Sequence, residues 1–389
     1  MSFRWLKPGG AAIAVDFGTT SLKLLQLGEG EELSMSAAAA LPTPPELRDK
    51  PAERLAFQAD AIPRLLKDAP FRGRRVVCSI PAAQTMVHHL QVQRSDSVPL
   101  DKTLGDEIRQ ATGRDPSTLI LRHLEVGEVI RAGSKRSEMI CIAMPREVVL
   151  ACVRALRDAR LEAVGIHCEH LAAVRSLDRI QRRASDAENT NLIVDVGGGT
   201  TKVIVAHGRD TVFAKTLLIG VLSSAAGAAA PARVAESRVP AANPRLPVGA
   251  AASAASGAAE TQASAVATET DRRNGAPPPG LNGLECDRAA RVAHPALEAL
   301  NDEISICIRY HQAVFPDRPI TRLVFVGGGA ADTGLCRELA RRLRLPAQVA
   351  DPLPALARAS GTRASGVDFS QPTPGWAVPL GLCFSPRDL

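Results

Sequence analysis

The sequence has 389 residues, 45% of them apolar and 23% charged, a balance that supports a buried core and excludes a disordered or fibrous chain. A net charge of +6 invites an acidic partner, yet the basic residues are spread along helix faces without an RNP-like or zinc pattern, so no nucleic-acid partner is expected. The eight cysteines are scattered without a CxxC pair, and neither a secretory leader nor a run of about 18 apolar residues is found, which points to a reducing cytoplasm.

In chain order, Ala12–Leu27 (AIAVDFGTTSLKLLQL) is an apolar strand that ends in Asp16, turns through Gly18 and small hydroxyl residues, and returns as a second strand. Glu32–Leu41 suits a third strand, Arg54–Lys67 has helical spacing through Leu55, Ile62 and Leu65, and Arg75–Ile80 reads as a buried strand stopped by Pro81. Next come a strand over Gln84–Gln93, a helix over Leu100–Ala111, and short strands at Leu119–Val126, Glu128–Arg131 and Glu138–Ala143. A helix over Arg146–Ala159 and a strand over Leu161–His167 follow. This group, residues 83–168, is expected to form a small α/β subdomain inserted into a first lobe made of 11–82 and 169–190.

Asn191–His207 (NLIVDVGGGTTKVIVAH) repeats the opening pattern: a buried strand, Asp195, the turn Gly197-Gly198-Gly199, then β-branched residues returning. Ser224–Gly280 holds twenty alanines and seven prolines but one leucine and no aromatic residue, too little to offset its ordering entropy, so 224–280 is expected to be a disordered linker. Order should resume near Ala293 with a helix to about Val314, strand Thr321–Val326, the turn Gly327-Gly328-Gly329-Ala330, helix Asp332–Leu343 and a strand at Pro346–Ala350. Residues 191–223 and 281–374 are assigned to a second lobe, and 375–389 to a closing helix that returns to the first.

A carboxylate at the end of a buried strand is costly unless it holds something, and a phosphate-bound Mg²⁺ held through water meets that need at both Asp16 and Asp195. The same Asp could also serve only to cap its turn. Gly18, Thr19, Thr20 and Ser21 offer N–H and hydroxyl donors to a β-phosphate, and Gly197, Gly198, Gly199 and Thr200 to the β- and γ-phosphates, with Thr201 and Lys202 as weaker candidates. Strand alternation sets Lys23 opposite Leu22 and Leu24, which predicts a solvated side chain.

Three glycine turns at this spacing, two carrying Asp, resemble the phosphate and adenosine loops of the actin-like ATPase superfamily. Met139–Leu177, with its strand, Val/Leu helix, strand and acid opening a small-residue helix, is similar to the PilM branch, as is Trp376–Ser385. The resemblance implies an α/β, bilobal actin-like fold with ribonuclease-H-like lobes, ATP and Mg²⁺ as ligands, and Gly327 to Ala330 against the adenosine. By the same resemblance Glu169 positions water for hydrolysis, a role compatible with that of an acid at a helix N-terminus. Glu303 opens the adenosine-contacting helix, but Ser305, Ile306 and Cys307 stand where the family's Arg and Ser would follow, so at most slow hydrolysis is expected.

The function implied is that of a cytoplasmic adaptor, peripheral at the inner membrane, in a type IV pilus or type II secretion assembly. Its expected partners are the cytoplasmic N-terminal peptide of a PilN-like membrane protein, bound between the inserted subdomain and the first lobe, other inner-membrane components, and a second copy of the chain. An FtsA-like membrane-associated filament protein and a nucleotide-free scaffold of the same fold are the alternatives.

Overall fold

The computed structural model describes residues 11–28, 33–94, 97–131, 133–180, 188–222, 296–354 and 356–387. The predicted linker 224–280 lies outside these residues.

Two sheets share one construction. In the first, β1 (Ile13–Phe17), β2 (Ser21–Leu27) and β3 (Ser34–Pro42) form an antiparallel meander, and β4 (Arg75–Ile80) and β8 (Glu162–Cys168) extend it in parallel on the other side of β1. In the second, β9 (Thr190–Val196), β10 (Thr201–His207) and β11 (Asp210–Leu217) form the meander, and β12 (Ile320–Val326) and β13 (Ala347–Val349) add in parallel beyond β9. Both β1 and β9 are buried along their whole length, as central strands covered on both faces must be.

Helix α1 (Pro51–Asp68) starts on a proline, whose missing N–H costs nothing at a helix start, and buries Ile62 and Leu65 on one face of the first sheet. Helices α5 (Leu297–Val314) and α6 (Thr333–Leu343) cover the second sheet through Leu300, Ile304, Cys307, Leu335 and Leu339. Asp332 caps α6 by accepting from the Leu335 N–H at 3.0 Å, so it precedes the helix it was expected to begin.

Helix α4 (Glu169–Ile180) and helix α7 (Ala377–Cys383) form the layer between the sheets. Ala172, Val378, Leu380 and Leu382 pack toward the first sheet, while Ala173, Val174, Leu177 and Ala377 pack toward the second.

A third sheet, ordered β5 (Met86–Val92), β7 (Ser134–Pro145), β6 (Leu119–Arg131), is the insertion. Along β7, Met139, Cys141 and Ala143 face helix α2 (Leu100–Thr112), and Ile140, Ile142 and Met144 face helix α3 (Arg146–Asp158), the period-two alternation of a sheet covered on both sides. The two strands expected at Leu119–Val126 and Glu128–Arg131 are one strand with an irregularity between Glu125 and Gly127, where Gly127 opposes Glu138.

Two predicted boundaries move. β8 was placed with the insertion but pairs with β4, and Leu156 of α3 packs into the first lobe's core, so α3 and β8 complete a parallel crossover of that lobe. The stretch assigned to the second lobe through 374 contains β14 (Ala357–Ser365), a strand the sequence reading missed, and it pairs with β3 at the outer edge of the first sheet. Its small and polar residues carry little strand propensity, and the pairing comes from tertiary context.

The closest approach in the middle layer is at Gly381, where a Cβ would stand 1.7 Å from the Ala172 carbonyl oxygen. Gly381→Val is therefore expected to lower the unfolding free energy by about 1–3 kcal/mol, by forcing α7 off α4. Urea denaturation measures this, and unchanged stability would contradict the packing described.

Candidate functional site

The ends of β1 and β9 face each other across the gap between the two sheets. Each hairpin turn is held in shape by its own lobe. Gln58 of α1 donates from Nε2 to the Gly18 carbonyl at 2.8 Å and to Thr43 Oγ1 at 2.8 Å. In the second turn the Gly197 N–H donates to the Thr200 carbonyl at 2.9 Å, and the Gly197 and Gly198 carbonyls accept from the N–H groups of Val221 and Leu222. The turns are close enough that a Cβ on Gly198 would lie 2.3 Å from the Thr20 methyl. Gly327 has φ of +87° and leaves no room for a side chain, since its Cβ would fall 2.3 Å from Asp195 Oδ1.

The cavity between these loops measures about 70 Å³. Of the predicted residues, Asp16, Gly18, Thr19, Thr20, Glu169, Asp195, Gly197, Gly198, Thr200, Gly327 and Gly328 line it. Ser21 begins β2, Gly199 faces Thr19 where the two turns meet, and Gly329 and Ala330 are buried beneath the loop against Val196 and the second lobe's core. Glu303 does not join the cavity lining, because its carboxylate accepts from Lys215 Nζ at 2.8 Å on the face where α5 meets β11. Pro81, Ala82, Ala83, Gly375, Ala377 and Val378 complete the wall.

Asp16, Glu169 and Asp195 are all buried here. Ser79 Oγ donates to Asp16 Oδ1 at 3.0 Å, and Lys202 Nζ lies 2.6 Å from Glu169 Oε2 and 3.0 Å from Asp195 Oδ2. Burial raises the carboxyl groups of Asp16 and Glu169 above their ordinary values, with the Lys202 charge opposing it in both. Burial also opposes the charge of Lys202, but Asp195 and Glu169 outweigh it and hold the ammonium protonated well above the usual lysine range.

The lysines are what the sequence reading undervalued. Hairpin register sets Lys23 directly opposite Asp16, and Lys202 directly opposite Asp195. Directly opposed residues share a face, so Lys23 points to the cleft rather than to solvent, lines the cavity, and pulls the Asp16 carboxyl down against burial. The signal was present in the sequence as one spacing used twice, an Asp and a Lys seven residues later, DFGTTSLK and DVGGGTTK.

Two matching five-strand units, each ending its first strand on an Asp before a glycine turn and facing the other across a cleft, define a bilobal protein of the actin-like fold. The model of the type IV pilus assembly protein PilM family matches residues 14–222, and the chain belongs to that family. Among solved structures, the PilM-PilN type IV pilus biogenesis complex contains a chain similar at 18% identity and a TM-score of 0.65, covering 97% of this chain and 98% of that one. The ethanolamine utilization protein EutJ from Carboxydothermus hydrogenoformans aligns at 16% identity and a TM-score of 0.43, over 97% and 90% of the two chains. A Bacteroides thetaiotaomicron protein with actin-like ATPase fold aligns at 7% identity and a TM-score of 0.44, over 92% and 96%. No curated protein sequence matches the chain. Among the described residues no helix is long and apolar enough to cross a membrane.

His170, next to Glu169 on α4, reaches Thr216 Oγ1 at 2.9 Å, and burial together with the Lys202 charge pushes its pKa down to about 3. Folded His170 thus stays neutral from its ordinary value of 6.5 down to about 3, while the unfolded chain takes up the proton in that window. The unfolded state binds more protons there, so this group's contribution to stability is present above 6.5 and is lost as the pH falls toward 3. His170→Gln should flatten the fall of stability across that range in denaturant titrations at several pH values. An unchanged slope would exclude a buried neutral His170.

Proposed function

We propose that this chain is an ATP-binding adaptor of a type IV pilus or related secretion assembly, seated at the inner membrane through a PilN-like membrane protein. The observation that carries the nucleotide reading is the pair of glycine turns, one from each lobe, which meet at Thr20 and Gly198 with buried carboxylates behind them. Backbone N–H groups of such turns suit phosphate oxygens, and Lys23 beside the cavity adds a positive charge. Because the turns already touch, admitting a triphosphate requires the lobes to separate. Gly327 and Gly328 would pass the nucleoside side of the ligand without collision.

Mg²⁺ would contribute charge neutralisation of the phosphates. Among the described residues no three His, Cys, Asp or Glu side chains converge to hold an ion, so direct ligation does not fit. Asp16 and Asp195 would act through water, as the sequence suggests. Glu169 would orient a water, and its ion pair with Lys202 competes with that task. This supports binding rather than rapid hydrolysis.

A second cavity, of about 230 Å³, suits an apolar peptide side chain. It lies between α1 and α3, lined by Pro51, Leu55, Gln58, Val148, Ala151 and Cys152 with Phe17 and Pro81 at its floor, and Arg54 and Glu147 give it charged neighbours. We place the N-terminal peptide of the PilN-like partner there. Pro81 borders both cavities, and Gln58 borders this one while holding the Gly18 carbonyl of the first phosphate turn. Peptide and nucleotide should therefore each alter the other's affinity by the same factor, roughly 5–150-fold for couplings of this kind.

Calorimetric titration of ATP, with and without a synthetic partner peptide, tests the reading. ATP is expected to bind, to bind more tightly with peptide, and to bind about tenfold more weakly in Gly198→Val, whose side chain would fill the space between the turns that the phosphates need. Absence of ATP binding under both conditions would leave the fold as a scaffold. Gln58→Ala should leave each ligand able to bind while reducing their mutual effect, and a coupling equal to that of wild type would remove Gln58 from the route.

A further inference from the structure

Lys202 is the strongest feature of the cleft that the nucleotide reading does not use. Its ammonium lies within ion-pair distance of carboxylates from two elements, Glu169 at the start of α4 and Asp195 at the end of β9. Its strand neighbours Thr201 and Val203 are fully buried, and its cross-strand register with Asp195 is part of a continuous ladder. The cation is therefore built into the second sheet and present whether or not a ligand is bound.

Without it, Asp16, Glu169 and Asp195 would be three buried carboxylates facing one small cavity. Such a cluster is neutralised either by proton uptake or by an external cation, for which a divalent ion with oxygen ligands is suited. With Lys202 in place two of the three have a cation within ion-pair distance, one positive charge shared between them. A divalent ion approaching Asp195 or Glu169 is repelled by the ammonium and finds one oxygen of each carboxylate already engaged. Asp16 has its own compensation from Lys23 across the hairpin and from the Ser79 hydroxyl.

We propose that Lys202 is a resident counter-cation that stands in for a divalent metal, so that this cleft accepts a phosphate-bearing ligand with little dependence on Mg²⁺. The part of the proposal that concerns phosphate rests on the nucleotide reading above, and the part that concerns the metal does not. A lysine supplies one charge that chelators cannot remove, and it fixes Glu169 against Asp195 instead of leaving that carboxylate free beside a metal-bound phosphate. It thereby sets the site toward retention of ligand and away from turnover.

Two measurements test it on the full-length chain. Mn²⁺ titration followed by electron paramagnetic resonance, without nucleotide, should show no specific site in wild type. Lys202→Gln should acquire one that Mg²⁺ displaces and that Asp16→Asn, added to the same variant, weakens. A specific Mn²⁺ site in wild type that Asp16→Asn or Asp195→Asn abolishes would overturn the proposal, as would a folded Lys202→Gln that gains none. Should Lys202→Gln fail to fold by circular dichroism, the wild-type titration still decides. Separately, the ATP affinity of wild type should differ by less than about tenfold between excess EDTA and excess Mg²⁺, and a larger loss in EDTA would overturn it. No ATP binding in either buffer would reject the nucleotide reading, while the Mn²⁺ titration would still judge Lys202.

Discussion

Three carboxylates can be buried in ionised form around one cleft only if cations are fixed beside them, and the register of two hairpins supplies those cations. In an antiparallel pair the residue opposite an Asp is set by the turn length, so identical turns put Lys23 against Asp16 and Lys202 against Asp195. A one-residue change in either turn would send its lysine to the opposite face and leave the acid uncompensated. The glycine turns thus have two tasks. They keep the backbone thin enough for the lobes to meet, and they hold the hairpin register on which the charge balance of the cleft depends.

The second constraint is mechanical. Helix α4 begins in the cleft with Glu169 and His170, then runs between the two sheets, where it shares the middle layer with α7. The ion pair from Glu169 to Lys202 joins that helix to the second sheet, and the close contact of Ala172 with Gly381 joins it to α7 on the first. Any relative movement of the lobes must pass through this helix. The small residues along it, Ala172 and Ala173, permit close packing against both sides.

Much of this was legible from sequence because buried strands declare themselves. β4 falls on the predicted Arg75–Ile80, the hairpins at Asp16 and Asp195 fall where their apolar runs end, and the family and fold follow from those turns. What was not legible depended on partners remote in sequence. β14 is a run of small and polar residues that becomes a strand because β3 offers it an edge, and β8 looks like a member of the insertion until β4 is seen to pair with it. Lys23 was misread because alternation tells which residues share a face but not which face is solvent. Glu303 is the converse case. A motif position matched, but the side chain that the fold sets beside it is Lys215, and the two neutralise each other outside the cavity lining.

The inserted sheet ties the two lobes together through side chains on both of its sides. On one side it shares a core with the first lobe through Ile80, Cys168, Ile140 and Ile142. On the other, His89 of β5 stacks on Phe213 with ring centres 4.6 Å apart, and its Nε2 meets the backbone of Ala214, both on β11. Glu138 of β7, fully buried, takes a 2.7 Å hydrogen bond from the Tyr310 hydroxyl of α5 and lies 3.3 Å from His89 Nδ1. Breaking that network would strand a buried carboxylate without its partners, which is costly enough to keep the sheet on the second lobe while its core keeps it on the first. Separation of the lobes must therefore strain the insertion, while the cavity between α1 and α3 lies beside helix α3, which packs on that sheet. A side chain filling the cavity would favour one lobe spacing over another, the differential interaction that coupling between two sites requires.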